Sequence, residues 1–539
     1  MIDTEKILDS LTLDEMIGQM LCFLLPNNYS EQDVEKIVME TKAGSFFVSN
    51  PKPEMIRACI RVIERHTKLP AMIAADIECG PGHVFDASRD PALPDIMAWG
   101  ACDDPELIEM AHAATAAYCR RLGIHWTFSP IVDINYNVNS PVVNIRGISD
   151  DPQQVIKIGT AALRGLEKDG LIVGGCKHFP GDGMDDRNQH FCTTVNTMSK
   201  EEWMASYGAV YKAMIAAGAA SIMVAHIALP AYDEKINDWI GYPPATLSYN
   251  LQTHLLKGEL GFDGCIVSDA LSMVGASAAV PHDRLAVEYV KAGGDMLLFP
   301  LPEYFGQIKN AVLSGEISEE RIRDATGRVI ELKKRARLFE DVEEVQGSIE
   351  GADDVAKYAD AIAEKSLTVI RDYDGILPLD VKSGDKILLI NLKKSKDYKP
   401  AHYTVDLDTL RSELEARGFR VKEHVNPSRD EIREDVKTAA AVLINCKISS
   451  RDYSGGSLRV DWEHIAPFWR GEILKHPKVV FTSFGDPYKL YEFPYLKTYI
   501  NAYSGSISTQ KAFVKALLGE IGFCGKSPVR LEGFFEREV

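Results

Sequence analysis

Up to about residue 335 the chain alternates short apolar runs with helical patterns. Eight runs stand out: MLCFLL, GSFFV, AMIAA, HWTFSP, LIVGGC, SIMVAH, CIVSD and DMLLF. Short apolar runs bounded by loops are strand-sized, and the stretches between them repeat their apolar residues at the three-to-four spacing of a helix. One such stretch is DPELIEMAHAATAAYCRRLG. Its Asp104 and Pro105 make a helix start, because a proline at the first helical position has no amide hydrogen to leave unpaired. Repeated βα units predict a parallel sheet, and eight of them fit a TIM-like (β/α)8 barrel.

The stretch EDVEEVQGSIEGADDVAK that follows is acidic and poor in apolar residues, and reads as a connector leading into a helix. Beyond it KILLINL, FRVKEHV, AAVLINC, KVVFTSF and KTYINAY alternate with helical segments such as LDTLRSELEARG and STQKAFVKALLGEIG. That alternation predicts an α/β sandwich domain. The expected organisation is a barrel over 1–340, a linker over 341–358 and a sandwich over 359–539.

Composition changes the picture mainly by exclusion. With 45% apolar residues in 539 the chain can bury a large core. Its net charge of −18 repels phosphate backbones and anionic lipid surfaces, which argues against nucleic-acid and membrane roles. No apolar stretch approaches the roughly 20 residues that span a bilayer. The start MIDTEKILDSLTLDE lacks the basic and apolar segments of a secretory signal, so a cytoplasmic location is expected. The ten cysteines include no CxxC pair, and most, like Cys265 in GCIVSD, sit in apolar runs where a buried free thiol is ordinary. Neither disulfides nor structural zinc are expected.

In a parallel barrel the loops after the carboxyl ends of the strands carry the chemistry. Here AMIAA runs into Asp76 and Glu78, HWTFSP into Asp133, LIVGGC into Lys177 and His178, SIMVA into His226 and CIVS into Asp269. One charged residue at a strand end is commonly a cap or a salt bridge, but five strands ending this way converge on one rim. In KHFPGDGMDDRNQH, Lys177 and His178 leave a strand, Pro180 and Gly181 force a turn, and a polar loop ends at His190. The loop is either a solvated glycine-rich segment or the carrier of a titrating imidazole over a rim pocket. In ELGFDGCIVSDALSMVGA, Asp269 is either the N-cap of the next helix or a carboxylate able to attack an anomeric carbon.

LTLDEMIGQM, LPAMIAADIECGPG, LGIHWTFSPIVDIN, VNIRGISDDP, KHFPGDG, PPATLS, GELGFDGCIVSDALSM and AGGDMLLFP follow one another in the order of a known family. The chain resembles glycoside hydrolase family 3, in particular its bacterial β-N-acetylglucosaminidases. SLTVIRDYDGILPL, FGDPY and ALLGEIGFCGKSPV resemble the sandwich domain that follows the barrel in many members. The resemblance implies retaining hydrolysis of terminal β-linked N-acetylglucosamine through a covalent glycosyl-Asp intermediate. Asp269, the aspartate of the SDxLxM pattern, falls on the nucleophile. His190 falls on the loop general acid and base, but the position two residues before it, an aspartate in the relatives, is Asn188 here. Asp185 and Asp186 lie on the same loop as possible substitutes for that charge.

The same resemblance puts Asp76, Arg146, Lys177 and His178 at sugar-binding positions, His226 at the pocket edge, and Glu78 in a structural place behind Asp76. It implies no cofactor and no metal, and a substrate that is an oligosaccharide or muropeptide containing N-acetylglucosamine. The alternatives are a β-glucosidase or β-xylosidase, a phosphorylase of the same fold, and a sugar-binding homologue with impaired catalysis, which Asn188 would suit.

Overall fold

The computed structural model describes residues 3–25, 29–86, 89–238, 241–394, 405–450, 458–469 and 473–534. All eight apolar runs form strands: β1 (Leu21–Leu25), β2 (Ser45–Val48), β3 (Met72–Ala75), β4 (Trp126–Thr127), β5 (Val173–Phe179), β6 (Ser221–Val224), β7 (Cys265–Ser268) and β8 (Leu297–Leu298). They pair in parallel, in the order β8, β1, β2, β3, β4, β5, β6, β7. The two ends of the sheet meet. Ser268 donates its N–H to the Met296 carbonyl at 3.0 Å, and the Asp295 and Met296 amides donate to Ile266 at 2.9 and 3.0 Å. These bonds close the ring between β7 and β8.

Side chains alternate along each strand. Cys22, Phe47, Met72, Ala74, Trp126 and Phe128 gather in one buried cluster, while their neighbours Phe23, Phe46, Ile73 and Ala75 belong to the cluster shared with the helices. Phe47 stacks on Phe128 with ring centroids 5.9 Å apart, and the Trp126 indole donates to Ser221 Oγ at 2.9 Å. The barrel is thus a filled core, and chemistry is left to its rims. Asp104 caps helix Pro105–Arg121 by accepting the Leu107 N–H at 3.1 Å, with Pro105 in the first turn, as the sequence predicts.

The stretch expected to connect the domains lies against the barrel. It holds a short helix, Val342–Gly347, and its Val345 and Ala352 are buried with Ala117 and Leu171. Helix Val355–Ser366 then packs on Ile96–Cys102 and Pro105–Arg121 of the barrel and on Ile507–Leu517 of the second domain.

That domain is a six-stranded sheet: β9 (Thr368–Asp372), β10 (Lys386–Lys393), β11 (Arg420–Val425), β12 (Ala441–Lys447), β13 (Val479–Ser483) and β14 (Thr498–Asn501). The order is β9, β14, β13, β12, β10, β11. All neighbours are parallel except β9, an antiparallel edge strand beside β14 that the apolar pattern did not predict.

The domains share a core. Met97, Ala98, Ala101 and Ile145 of the barrel are buried with Leu388, Ile390, Val442 and Tyr488 of the sheet. Polar ties flank this seam: Ser149 Oγ donates to the Pro528 carbonyl at 2.6 Å, the Arg530 amide to Asp150 at 2.8 Å, and Asn144 Nδ2 to Asp486 Oδ1 at 3.3 Å. Among the described residues, no helix is long and apolar enough to cross a membrane.

Candidate active site

At the carboxyl rim a buried lysine organises one wall. Strand β5 runs past LIVGGC to Phe179, so Lys177 and His178 lie within the strand rather than after it, and both are buried. Lys177 Nζ sits 2.9 Å from Asp76 Oδ1 and 2.8 Å from Glu78 Oε1. Arg146 clamps Glu78 from the other side with two bonds, Nη2 to Oε1 at 2.9 Å and Nε to Oε2 at 3.1 Å. Burial alone would depress the Lys177 pKa, but the Asp76 and Glu78 carboxylates outweigh it and hold the pKa above the usual lysine value. Glu78 is 4% exposed and fully engaged. Asp76 keeps its side chain 39% exposed, and its Oδ2 has no partner among the described residues.

His178 is oriented by Asp133. Asp133 is completely buried; its Oδ2 lies 2.6 Å from His178 Nδ1, and its Oδ1 accepts the amides of His178 at 3.2 Å and Asp182 at 2.8 Å. The carboxylate fixes the proton on Nδ1 and leaves His178 Nε2 for the pocket. Asp182 is buried beside it; burial, with the nearby Asp133 charge, raises its carboxyl to about 7.

The KHFPGDG turn depends on two glycines at positive φ. A β-carbon at Gly181 would strike the Tyr207 ring, and one at Gly183 the Ile134 carbonyl. The loop then returns over the rim. Gln189 Oε1 accepts the His226 amide at 3.0 Å, and the Val274 amide donates to the His190 carbonyl at 3.1 Å.

At its end, Asn188 Oδ1 accepts the His190 amide at 2.9 Å and lies 2.6 Å from His190 Nδ1. Asp185 is occupied elsewhere, by Arg187 and the Val195 amide, and Asp186 is exposed with no hydrogen bond. His190 is exposed at the rim, but the protein crowded around its ring disfavours the charged form. This desolvation lowers its pKa to about 4, against the pull of the Asp269 carboxylate.

Asp269 follows β7. Its Oδ1 accepts the Ala270 amide at 2.8 Å, and its Oδ2 has no partner among the described residues. Burial opposes its charge, but the imidazoles of His226, His178 and His190 and the Ala270 N–H overcome it, holding the carboxyl below the usual range. His226 is fully buried, with Nδ1 2.8 Å from Thr246 Oγ1 and Nε2 donating to the Ala270 carbonyl at 3.0 Å. Both of its nitrogens are therefore engaged by protein.

Among the described residues, Asp269 Oδ2, Asp76 Oδ2, His178 Nε2 and His190 Nε2 are polar atoms at this rim without a hydrogen-bond partner. No group of three or more metal-ligating side chains is arranged to hold an ion among the described residues. Gln189 and Asn144 were not legible in the sequence as parts of this site: each acts through a backbone group or a partner remote along the chain.

A closed parallel barrel presenting a carboxylate and titratable imidazoles at its carboxyl rim defines a barrel enzyme. Residues 12–332 match the glycosyl hydrolase family 3 N terminal domain, and the chain belongs to that family. A beta-N-acetylglucosaminidase/beta-glucosidase of Cellulomonas fimi is 28% identical over 538 residues, covering 96% of this chain and 93% of the relative. Several solved structures are similar over nearly the whole length of this chain. The beta-glucoside phosphorylase BglX bound to 2FGlc superposes with a TM-score of 0.86 at 28% identity, covering 98% of this chain and 96% of the other. A glycoside hydrolase family 3 beta-N-acetylglucosaminidase from Paenibacillus sp. str. FPU-7 does so with a TM-score of 0.82 at 25% identity, covering 97% and 99%.

Proposed function

We propose that the protein is a retaining glycosidase that removes terminal β-linked N-acetylglucosamine, with Asp269 as nucleophile and His190 as proton donor and acceptor. The observation that carries this reading is the state of Asp269: one carboxylate oxygen is held by the Ala270 amide and the other is left for the substrate. In the first step Asp269 Oδ2 bonds to the anomeric carbon, the glycosidic C–O bond breaks, and the leaving oxygen takes a proton from the His190 imidazolium. In the second step water attacks the same carbon, gives its proton to His190 Nε2, and releases Asp269.

Asp76, Lys177, His178 and Arg146 are assigned to the sugar, whose hydroxyls each cost roughly 1–3 kcal/mol if buried unpaired. Asn188 orients His190, and His226 forms the wall behind Asp269. The names of the Cellulomonas and Paenibacillus relatives support N-acetylglucosamine as the sugar; the oligosaccharide or muropeptide that carries it is part of the proposal. Ten free cysteines suit a reducing, cytoplasmic setting.

A second reading, phosphorolysis, is favoured by the uncharged Asn188 beside His190 and by the likeness to a phosphorylase. An imidazole without a neighbouring carboxylate repels incoming phosphate less than an acidic catalyst does. Mass spectrometry of products from N-acetylglucosaminyl and glucosyl disaccharides, with and without phosphate, tests both readings. Free N-acetylglucosamine in either buffer supports hydrolysis, and a sugar 1-phosphate formed only with phosphate supports the second reading. No turnover of any β-glycoside counts against both.

A further inference from the structure

At the opposite end of the barrel, beside the amino-terminal ends of β3 and β4, lies a cavity of about 490 Å³. Helix Pro53–His66, the last turn of helix Pro105–Arg121, His125 and the segment 337–346 wall it. Five arginines and two glutamates line it, in a chain whose net charge is −18. The site described above uses none of these residues.

Three of its donors lack protein acceptors among the described residues. Arg120 is 5% exposed, and its Nη1 donates to the carbonyls of Leu171 at 2.9 Å and Ala336 at 2.8 Å, leaving Nε and Nη2 unpaired. No carboxylate forms an ion pair with it among the described residues, and the Glu340 charge acts on it only from a distance. His125 is 8% exposed, and its Nδ1 accepts the Ile73 amide at 3.1 Å. A ring nitrogen that accepts carries no proton, so the His125 proton resides on Nε2, which finds no acceptor. Burial, together with the neighbouring Arg120 charge, keeps that ring neutral. Arg57, exposed at the mouth, has no partner either. A buried guanidinium bonded only to neutral carbonyls is an incomplete arrangement, because a desolvated cation is ordinarily compensated by an anion. Ile60, Leu122, Leu338 and Val345 give the cavity an aliphatic portion beside these charged groups.

We propose that this cavity binds a small organic oxyanion, its phosphate or carboxylate seated on Arg120, His125 and Arg57 and its apolar body on the aliphatic wall. The planar guanidinium supplies parallel N–H donors that suit two oxygens of one anion, and the imidazole N–H supplies a third. The barrel's amino-terminal face ordinarily serves stability alone, so a ligand there acts without occupying the catalytic rim. Because it would bind only the folded chain, it also raises the thermal midpoint.

The test is calorimetric titration and thermal unfolding of the full chain with phenyl phosphate, benzoate and inorganic phosphate as separate probes. Phenyl phosphate or benzoate is expected to bind one to one, to weaken as salt rises, and to raise the melting midpoint; whichever binds more tightly identifies the head group. Inorganic phosphate is expected to bind at least about tenfold more weakly, for want of the apolar contact. Arg57→Glu should weaken binding of the organic probes by about tenfold while leaving aryl-glycoside hydrolysis unchanged, and Arg57→Glu with Arg61→Glu should abolish it. Both arginines are exposed; because Arg61 pairs with Glu31 on the neighbouring helix at 3.6 Å, the ligand-free melting midpoint of the double variant is compared with that of the parent to show that it folds. Absence of binding at millimolar probe, or binding undiminished in the double variant, overturns the proposal; inorganic phosphate binding as tightly as phenyl phosphate overturns its apolar half.

Discussion

The oxygen of the Asn188 side chain serves two hydrogens of one residue: the His190 amide at 2.9 Å and the His190 ring at Nδ1, 2.6 Å away. An amide N–H always donates, so the Asn188 atom is oxygen and Nδ1 carries the ring proton. The resting imidazole therefore offers a lone pair at Nε2, ready to take a proton from water, and must gain one before it protonates a leaving group.

Asn188→Asp should shift that balance. A carboxylate beside the ring favours the imidazolium and raises the His190 pKa from its lowered value of about 4. The acid form is lost as pH rises through the pKa, so the alkaline limb of kcat/KM on unactivated disaccharides should move up by about one to three pH units. Turnover at pH 7 should rise about tenfold or more. The Asn188 Nδ2 is buried without an acceptor, so its removal forfeits no hydrogen bond. Matched pH profiles of the two proteins check this, and an unmoved limb would reject the dyad.

Asp269→Ala should lower turnover of all β-glycosides by about 10⁴-fold or more, aryl glycosides included, since no glycosyl ester forms without the carboxylate. Digestion after treatment with a 2-fluoro sugar should return the label on the peptide containing Asp269. A label on another carboxylate would move the nucleophile there.

His190→Ala should slow glycosylation about 10²- to 10⁴-fold for poor leaving groups and far less for nitrophenyl ones, which depart without a proton. A plot of log kcat/KM against leaving-group pKa should steepen. Equal slowing across the series would point to positioning rather than proton transfer.

Asp133→Asn replaces a carboxylate that accepts three N–H groups by an amide that opposes one of them with its own hydrogens. Stability should fall by about 1–3 kcal/mol in urea unfolding, and KM should rise as His178 loses its orientation. A variant with native stability and native KM would show that His178 needs no such anchor.

Asn144→Ala and Asp486→Ala test the bond between the domains. Each should raise KM several-fold by loosening the segment that carries Arg146, with kcat little changed, and a double-mutant cycle should give a coupling of about 0.5–1.5 kcal/mol. Independent effects would mean that the shared apolar core alone sets the segment.

The barrel was legible because each strand coincides with one apolar run, and β5 exceeds its run only because Lys177 and His178 are buried with carboxylate partners. The edge strand β9 was missed because Arg371 and Asp372, half-exposed at its end, break the apolar signal. Glu78 lies two residues after Asp76 and is paired with Arg146 and Lys177, partners 68 and 99 residues further along that no local pattern links to it. Asp133 was visible as a rim carboxylate, but its partner lies 45 residues away, and no local pattern encodes that pairing. Gln189 holds the loop through a backbone amide at His226, a contact that leaves no mark on composition or spacing.

Asn144 and Asp486 stand 342 residues apart in the chain. At about 5–20 residues per second, a ribosome makes the second partner roughly 17 to 70 s after the first. Until the sheet is made, the nascent barrel carries Met97, Ala98 and Ala101 without the cover of Leu388, Ile390 and Val442, and through the whole interval the segment of Arg146 lacks its tie to Asp486. The carboxyl rim therefore gains its interdomain tie late, although Asp76, Arg146, Lys177, His178, His190 and Asp269 all lie in the first half of the sequence, and a chain arrested before Asp486 leaves the ribosome with Arg146 on an untied segment.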